Sequence, residues 1–165
     1  MFVKKNAGKA ASGFTLIEFV MVILLVGIVS VVVLPKWSVQ SFSLQHEARR
    51  LLSDIRYAQA LSMTSGQRYR WVRISASSYR ILNESGVAIV LPAGSTTMVF
   101  TSGVTMGTLV NLPNGLLAFD ALGAPYTTSA IPGTALAAPA IIPLTSAGQT
   151  QNITITPQTG WGTLS

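Results

Sequence analysis

The chain has 165 residues, enough for one modest folded domain with an appendage. Hydrophobic residues make up 49% and charged ones only 10%, so an apolar segment must be concentrated somewhere along the chain. The net charge is +6, and the absence of cysteine excludes disulfides, thiolate chemistry and Cys-ligated metals.

Lys4, Lys5 and Lys9 carry much of that charge; without them eight basic side chains stand against five acidic ones, a net +3. Residues 14–34 (FTLIEFVMVILLVGIVSVVVL) are apolar except for Thr15, Glu18 and Ser30. As a helix this run is about 31 Å long, enough to cross the hydrocarbon core of a membrane. The lysines before it, against the single Lys36 after it, predict a cytoplasmic N-terminus and a domain on the opposite, periplasmic side. A secretory signal peptide would be shorter and end at a small-residue cleavage site, whereas this run meets Pro35, Lys36 and Trp37. A plain signal anchor explains everything except Glu18, because an ionised carboxylate in hydrocarbon is costly unless paired or protonated.

Gly13-Phe14-Thr15-Leu16-Ile17-Glu18, behind a Lys-containing leader and ahead of an apolar helix, resembles the processing site of type IV pilins and type II secretion pseudopilins. The resemblance implies a leader of residues 1–13 and cleavage between Gly13 and Phe14 by a prepilin peptidase. It also implies N-methylation of Phe14 and a filament-assembly role for Glu18. The implied partners are major and minor pilins, the peptidase, an inner-membrane assembly platform and membrane lipid. The implied location is the inner membrane, single-pass, and then the pilus or pseudopilus.

From Lys36 to about Thr64 the pattern becomes an amphipathic helix. Leu44, Ala48, Leu51, Leu52, Ile55, Ala58 and Leu61 recur three or four apart and form one apolar face. Glu47, Arg49, Arg50, Ser53, Asp54, Arg56 and Gln59 fill much of the rest as a solvated flank, where Glu47–Arg50 and Arg50–Asp54 have the spacing of exposed helix pairs worth only tenths of a kcal/mol. Pro35 is expected to kink or break the helix between its two halves, and Gly66 to stop it. His46 has no clustered partner and reads as a solvated surface side chain.

After Gly66 strand-like runs take over. Residues 68–74 and 78–82 read as a hairpin, with further short strands expected at 87–91, 97–100, 115–119, 140–144 and 152–156. The Ala/Pro/Gly/Thr-rich stretch 123–139 reads as a loop. The expected architecture is α+β: a long N-terminal helix, membrane-spanning over 14–35 and amphipathic over 36–66, packed on an antiparallel β domain over 67–165.

Three later segments resemble the GspH/FimT group of minor pilins. They are Ser53-Asp54-Ile55-Arg56-Tyr57-Ala58-Gln59-Ala60, Phe119-Asp120-Ala121-Leu122-Gly123-Ala124-Pro125, and Thr154-Ile155-Thr156-Pro157-Gln158-Thr159-Gly160-Trp161. In the second, Ala124 stands where that group usually has arginine. The Pro35-Lys36-Trp37 junction and the region of Phe42 look most like minor pilins of mannose-sensitive haemagglutinin (MSHA) pili. The second segment also makes sense as a plain Asp/Gly/Pro turn.

An enzyme is not expected: histidine is solitary, only two acidic residues follow Asp54, and no Gly-rich phosphate loop is present. No cofactor or metal site is expected either. The resemblance implies a structural role, helping to initiate or cap assembly of a type IV pilus (MSHA-like) or a type II secretion pseudopilus. The alternative is a DNA-binding minor pilin, as in some FimT-like relatives. The tail Gly160–Ser165 lacks the basic residues those relatives use. Arg68, Arg70, Arg73 and Arg80, interleaved with Tyr69, Trp71 and Tyr79, are the remaining candidates for phosphate contact, although Arg73 points away from Arg68 and Arg70. A partly solvated hairpin is the simpler reading of that cluster.

Overall fold

A computed structural model describes residues 15–33, 39–101 and 103–165. The chain divides into two units, Met1–Ser38 and Val39–Ser165. In the first, α1 (Leu16–Val33) is an 18-residue helix. Thr15 caps it: its carbonyl accepts from the Glu18 and Phe19 amides at 3.1 and 3.2 Å, and its Oγ1 lies 3.4 Å from the Glu18 amide. At about 27 Å this helix is slightly shorter than a hydrocarbon core about 30 Å thick. Among the described residues no helix is long and apolar enough to cross a membrane. The expected break at Pro35 lies outside the described residues.

The second unit is built on α2 (Val39–Ser65) and two antiparallel sheets. Gly66 ends α2 as expected: its φ of 70° is open to glycine at little cost, and its amide donates to the Ser62 carbonyl at 3.0 Å. β1 (Tyr69–Ser75) and β2 (Ser78–Leu82) form the expected hairpin. β3 (Met98–Val99) pairs with β2; β5 (Leu116–Phe119) pairs with β1, and β6 (Pro125–Tyr126) with β5. The first sheet therefore runs β3-β2-β1-β5-β6.

The second sheet runs β4-β7-β8-β9, from β4 (Thr105–Met106), β7 (Ala140–Ser146), β8 (Gln149–Ile155) and β9 (Gly162–Leu164). The β7–β8 hairpin turns on Ala147 and Gly148, both at positive φ (49° and 79°), which suits the twist of a two-residue connection. Ala140, Ile142, Leu144 and Ser146 point inward while the residues between them are half-buried, the period-2 alternation of a strand covered on one face.

α2 packs against β1 and β5 of the first sheet and against β7, β8 and β9 of the second. Leu44, Ala48, Leu51, Leu52, Ile55 and Ala58 are buried as expected, and Leu61 is half-buried. The six buried residues share one core with Trp71, Tyr79, Ile81, Leu117, Phe119, Ile142, Leu144, Ile153 and Ile155. The architecture is α+β, helix on antiparallel sheet.

Two expectations need correction. Residues 87–91 make no strand: Val87 and Val90 are exposed, and the only pairing is an isolated Leu82–Ala88 bridge. Glu47 and Asp54 do not lie on a solvated flank of α2; both are buried, at 1% and 6% exposure. A helix covered by two sheets buries a wider arc than its apolar stripe.

Candidate functional site

Glu18 sits in the first turn of α1, where the unpaired amides of a helix start favour a negative charge. The α1 side chains from Leu16 to Val29 are exposed, most of them by half or more. Gly13 and Phe14 lie outside the described residues.

In the second unit, the three segments singled out in the sequence meet at one place. The Gln59 side-chain amide donates to the Gly123 carbonyl at 2.9 Å and to the Thr159 carbonyl at 2.8 Å. Asp120 shapes the first turn: its Oδ1 accepts from the Leu122 and Ala124 amides, both at 2.9 Å, and its Oδ2 accepts from the Tyr126 hydroxyl at 3.1 Å. Gly160 closes the second turn at φ 63°, where a Cβ would come within 2.7 Å of both Gln59 Nε2 and the Gly123 oxygen. One helical turn earlier, Arg56 donates to the Gly162 carbonyl at 2.7 Å and its guanidinium lies 4.7 Å from the Trp161 ring centroid. Asp120 and Gly123 are therefore a turn, and that turn is clamped to α2.

A buried polar strip runs along the opposite flank of α2. Glu47 accepts from the Thr101 hydroxyl at 2.5 Å and its amide at 3.2 Å, and pairs with Arg50 at 3.3 Å. Arg50 also donates to the Val99 carbonyl at 2.9 Å. The Tyr79 hydroxyl donates to Asp54 Oδ2 at 2.6 Å. Burial raises the Asp54 pKa above the usual carboxylate value, against the opposing effects of Tyr79 and Arg50. Burial together with the Asp54 charge pushes the Tyr79 phenol far up, so it remains a donor. Helical spacing marks the Glu47–Arg50 pair, but not the Tyr79–Asp54 bond or the Gln59 clamp, whose partners lie 25 to 100 positions apart.

The four hairpin arginines are dispersed. Arg68 is buried, stacks 4.3 Å from the Tyr126 ring centroid and donates to the Ala130 carbonyl. Arg73 donates to the carbonyls of Gly107, Met106 and Ser75. Arg70 is half-buried, and Arg80 is exposed with its Nε donating to Thr97. They do not form one exposed basic stripe. His46 is exposed. Among the described residues no cluster of His, Cys, Asp or Glu has the makings of a metal site.

One structural likeness stands out at this point. The crystal structure of the type IV minor pilin FimU from Pseudomonas aeruginosa strain PAO1, in space group P65, superposes with a TM-score of 0.51 at 17% identity, covering 74% of this chain and 92% of that one. The chain has a pilin fold. A second crystal form of FimU, in space group P21, gives a TM-score of 0.52 at 17% identity over 74% of this chain and 87% of that one. No protein-family model and no curated protein matches the sequence.

Proposed function

We propose that the chain is a minor pilin or pseudopilin, a structural subunit that helps to initiate or cap a filament. A type IV pilus of the MSHA kind fits the junction at Pro35-Lys36-Trp37 best, with a type II secretion pseudopilus as the other machine of the same class. Residues 1–13 form the leader, cleavage falls between Gly13 and Phe14, and Phe14 becomes the methylated N-terminus. The apolar run 14–34 anchors the chain in the inner membrane in a single pass, with the globular unit periplasmic, before it enters the filament.

The observation that carries this reading is α1 itself. It is an apolar helix with exposed side chains and one acid, Glu18, in its first turn, on a chain with a pilin fold. Apolar surface on this scale is covered by lipid or by neighbouring subunits. Cleavage creates an ammonium at Phe14, four positions before Glu18, so a compensating charge for the carboxylate exists only after processing. The test is Glu18→Ala in a host carrying partner pilins. The variant inserts and is cleaved, but co-purifies poorly with those pilins and lowers the number of filaments per cell. Normal partner capture with normal piliation contradicts the proposal.

A further inference from the structure

One face of α2 is left bare by both sheets. Phe42, Arg49, Ser53, Arg56, Ala60 and Met63 follow one another seven, four, three, four and three positions apart, so they line one stripe along the helix. All six are exposed. Two turns widen the stripe at its far end. Trp161 is exposed, and its ring centroid lies 4.7 Å from the Arg56 guanidinium. Met63 lies over Gly123, whose Cβ would come 3.0 Å from the Met63 sulfur, and the preceding Leu122 is 87% exposed.

The charged side chains that α2 presents on this stripe are Arg49 and Arg56. Both acids of α2, Glu47 and Asp54, are buried and bonded inside the domain. Asp120, two positions from Leu122, is engaged by the amides of its own turn and by Tyr126. The face therefore fits an anionic partner. It also joins arginine to Trp, Met and Leu, the residue types suited to a lipid–water boundary. There an arginine stem lies along apolar surface while its head reaches phosphate, and an indole sits at headgroup level. An acidic protein surface would match the charge as well, but the sequence favours lipid. α2 starts at Val39, five positions after the apolar run 14–34 ends, with Lys36 and Trp37 in between. Five residues reach at most about 18 Å, which keeps the start of the stripe close to any bilayer that the run crosses.

Given that residues 14–34 form the membrane anchor, the reading on which this rests, we propose that the bare α2 face of the unassembled subunit lies on an anionic phospholipid surface. Arg49 and Arg56 meet lipid phosphates, and Met63, Leu122 and Trp161 sit among the headgroups. Met63 is about 30 Å along the helix axis from Phe42. A domain held only by its tether leaves Met63 and Trp161 away from lipid, whereas a domain lying on this face brings both to the headgroups.

The test is paramagnetic broadening of amide signals in the isotope-labelled full chain, reconstituted in nanodiscs with a spin label on a lipid headgroup. The bilayers are phosphatidylcholine alone and its equimolar mixture with phosphatidylglycerol. The cross-strand pair Val72 and Arg80 is the reference, because Arg80 is exposed between buried Tyr79 and Ile81 on the sheet face turned away from the core. In the anionic bilayer Ala60, Met63, Leu122 and Trp161 are expected to broaden while Val72 and Arg80 stay sharp. Neutral lipid or added salt is expected to reduce that broadening several-fold. Arg49→Glu, at an exposed position, is expected to reduce it likewise, and Arg49→Lys to keep it. Broadening of Leu16 and Val33 reports the anchor separately. If both stay sharp, the anchor reading fails and this proposal with it. If they broaden while Ala60, Met63, Leu122 and Trp161 stay sharp in the anionic bilayer, this proposal alone is overturned and a protein covers the face. Equal broadening in both bilayers, equal broadening of Val72 and Arg80, or no effect of Arg49→Glu also overturns it.

Discussion

The Tyr79 hydroxyl donates to Asp54 Oδ2 at 2.6 Å inside the helix–sheet interface. Tyr79 is fully buried and Asp54 nearly so, and the bond ties α2 to β2 at the centre of the domain. Removing the donor leaves a buried carboxylate short of a partner. Tyr79→Phe is therefore expected to cost about 1–3 kcal/mol in chemical denaturation. Asp54→Asn keeps an acceptor and removes the charge, so its cost at neutral pH is smaller than that of Tyr79→Phe.

The same pair sets a pH dependence. Burial raises the folded-state pKa of Asp54 above its unfolded value. Its contribution to stability is then fully present below the unfolded pKa and is lost as pH rises through the folded one. The difference in stability between the native chain and Asp54→Asn should shift in favour of the native chain on acidification across that window. Denaturation midpoints of both proteins over a pH series measure it; a constant difference contradicts the assignment.

The Gln59 clamp makes a second prediction. Gln59→Ala removes two hydrogen bonds to turn carbonyls and is expected to cost about 1–3 kcal/mol. Gly160→Ala is worse, because its Cβ would lie 2.7 Å from the Gly123 backbone oxygen, which Gln59→Ala does not relieve. Gly66→Ala is the control: it has a similar positive φ of 70° but no atom within 4 Å, so it carries only the backbone penalty of about 1–2 kcal/mol. Equal thermal shifts for the two glycine variants would show that the Gly160 site is not crowded.

Ile55 tests the core. It is 1% exposed on the face of α2, and Ile55→Asp buries an unpaired charge there. A fragment of residues 39–165 is expected to unfold cooperatively, and Ile55→Asp to destabilise it by several kcal/mol. An unchanged midpoint for the variant contradicts the placement of Ile55.

How much of this was visible in the sequence depended on the range of the contacts involved. The α2 stripe from Leu44 to Ala58, the Gly66 stop and the β1–β2 hairpin follow from local periodicity and turn chemistry, and the structure has them all. The two- and three-residue strands β4, β6 and β9 exist only because a longer neighbour offers a free edge, and no local pattern marks them. β6 fell within 123–139, whose composition signals a loop. The run 87–91 has strand composition but no available neighbour beyond a single bridge. Glu47 and Asp54 carry the chemistry of a solvated flank, and only the position of the first sheet reveals that they are covered. Of the site residues, Glu18 stood out because a lone acid in an apolar run is costly. Arg73 stood out only as one of a hairpin cluster and Gln59 only within a family-like segment, since what ties each in place is a set of carbonyls 33 to 100 positions away.

The central claim is that the chain is processed as a pilin, and the intact mass of the membrane-extracted protein tests it most directly. Expressed from its own sequence in a host with a prepilin peptidase, the protein should lack residues 1–13 and carry one added methyl group on Phe14. A chain that keeps its leader in that host, or one cleaved elsewhere than between Gly13 and Phe14, would contradict the account.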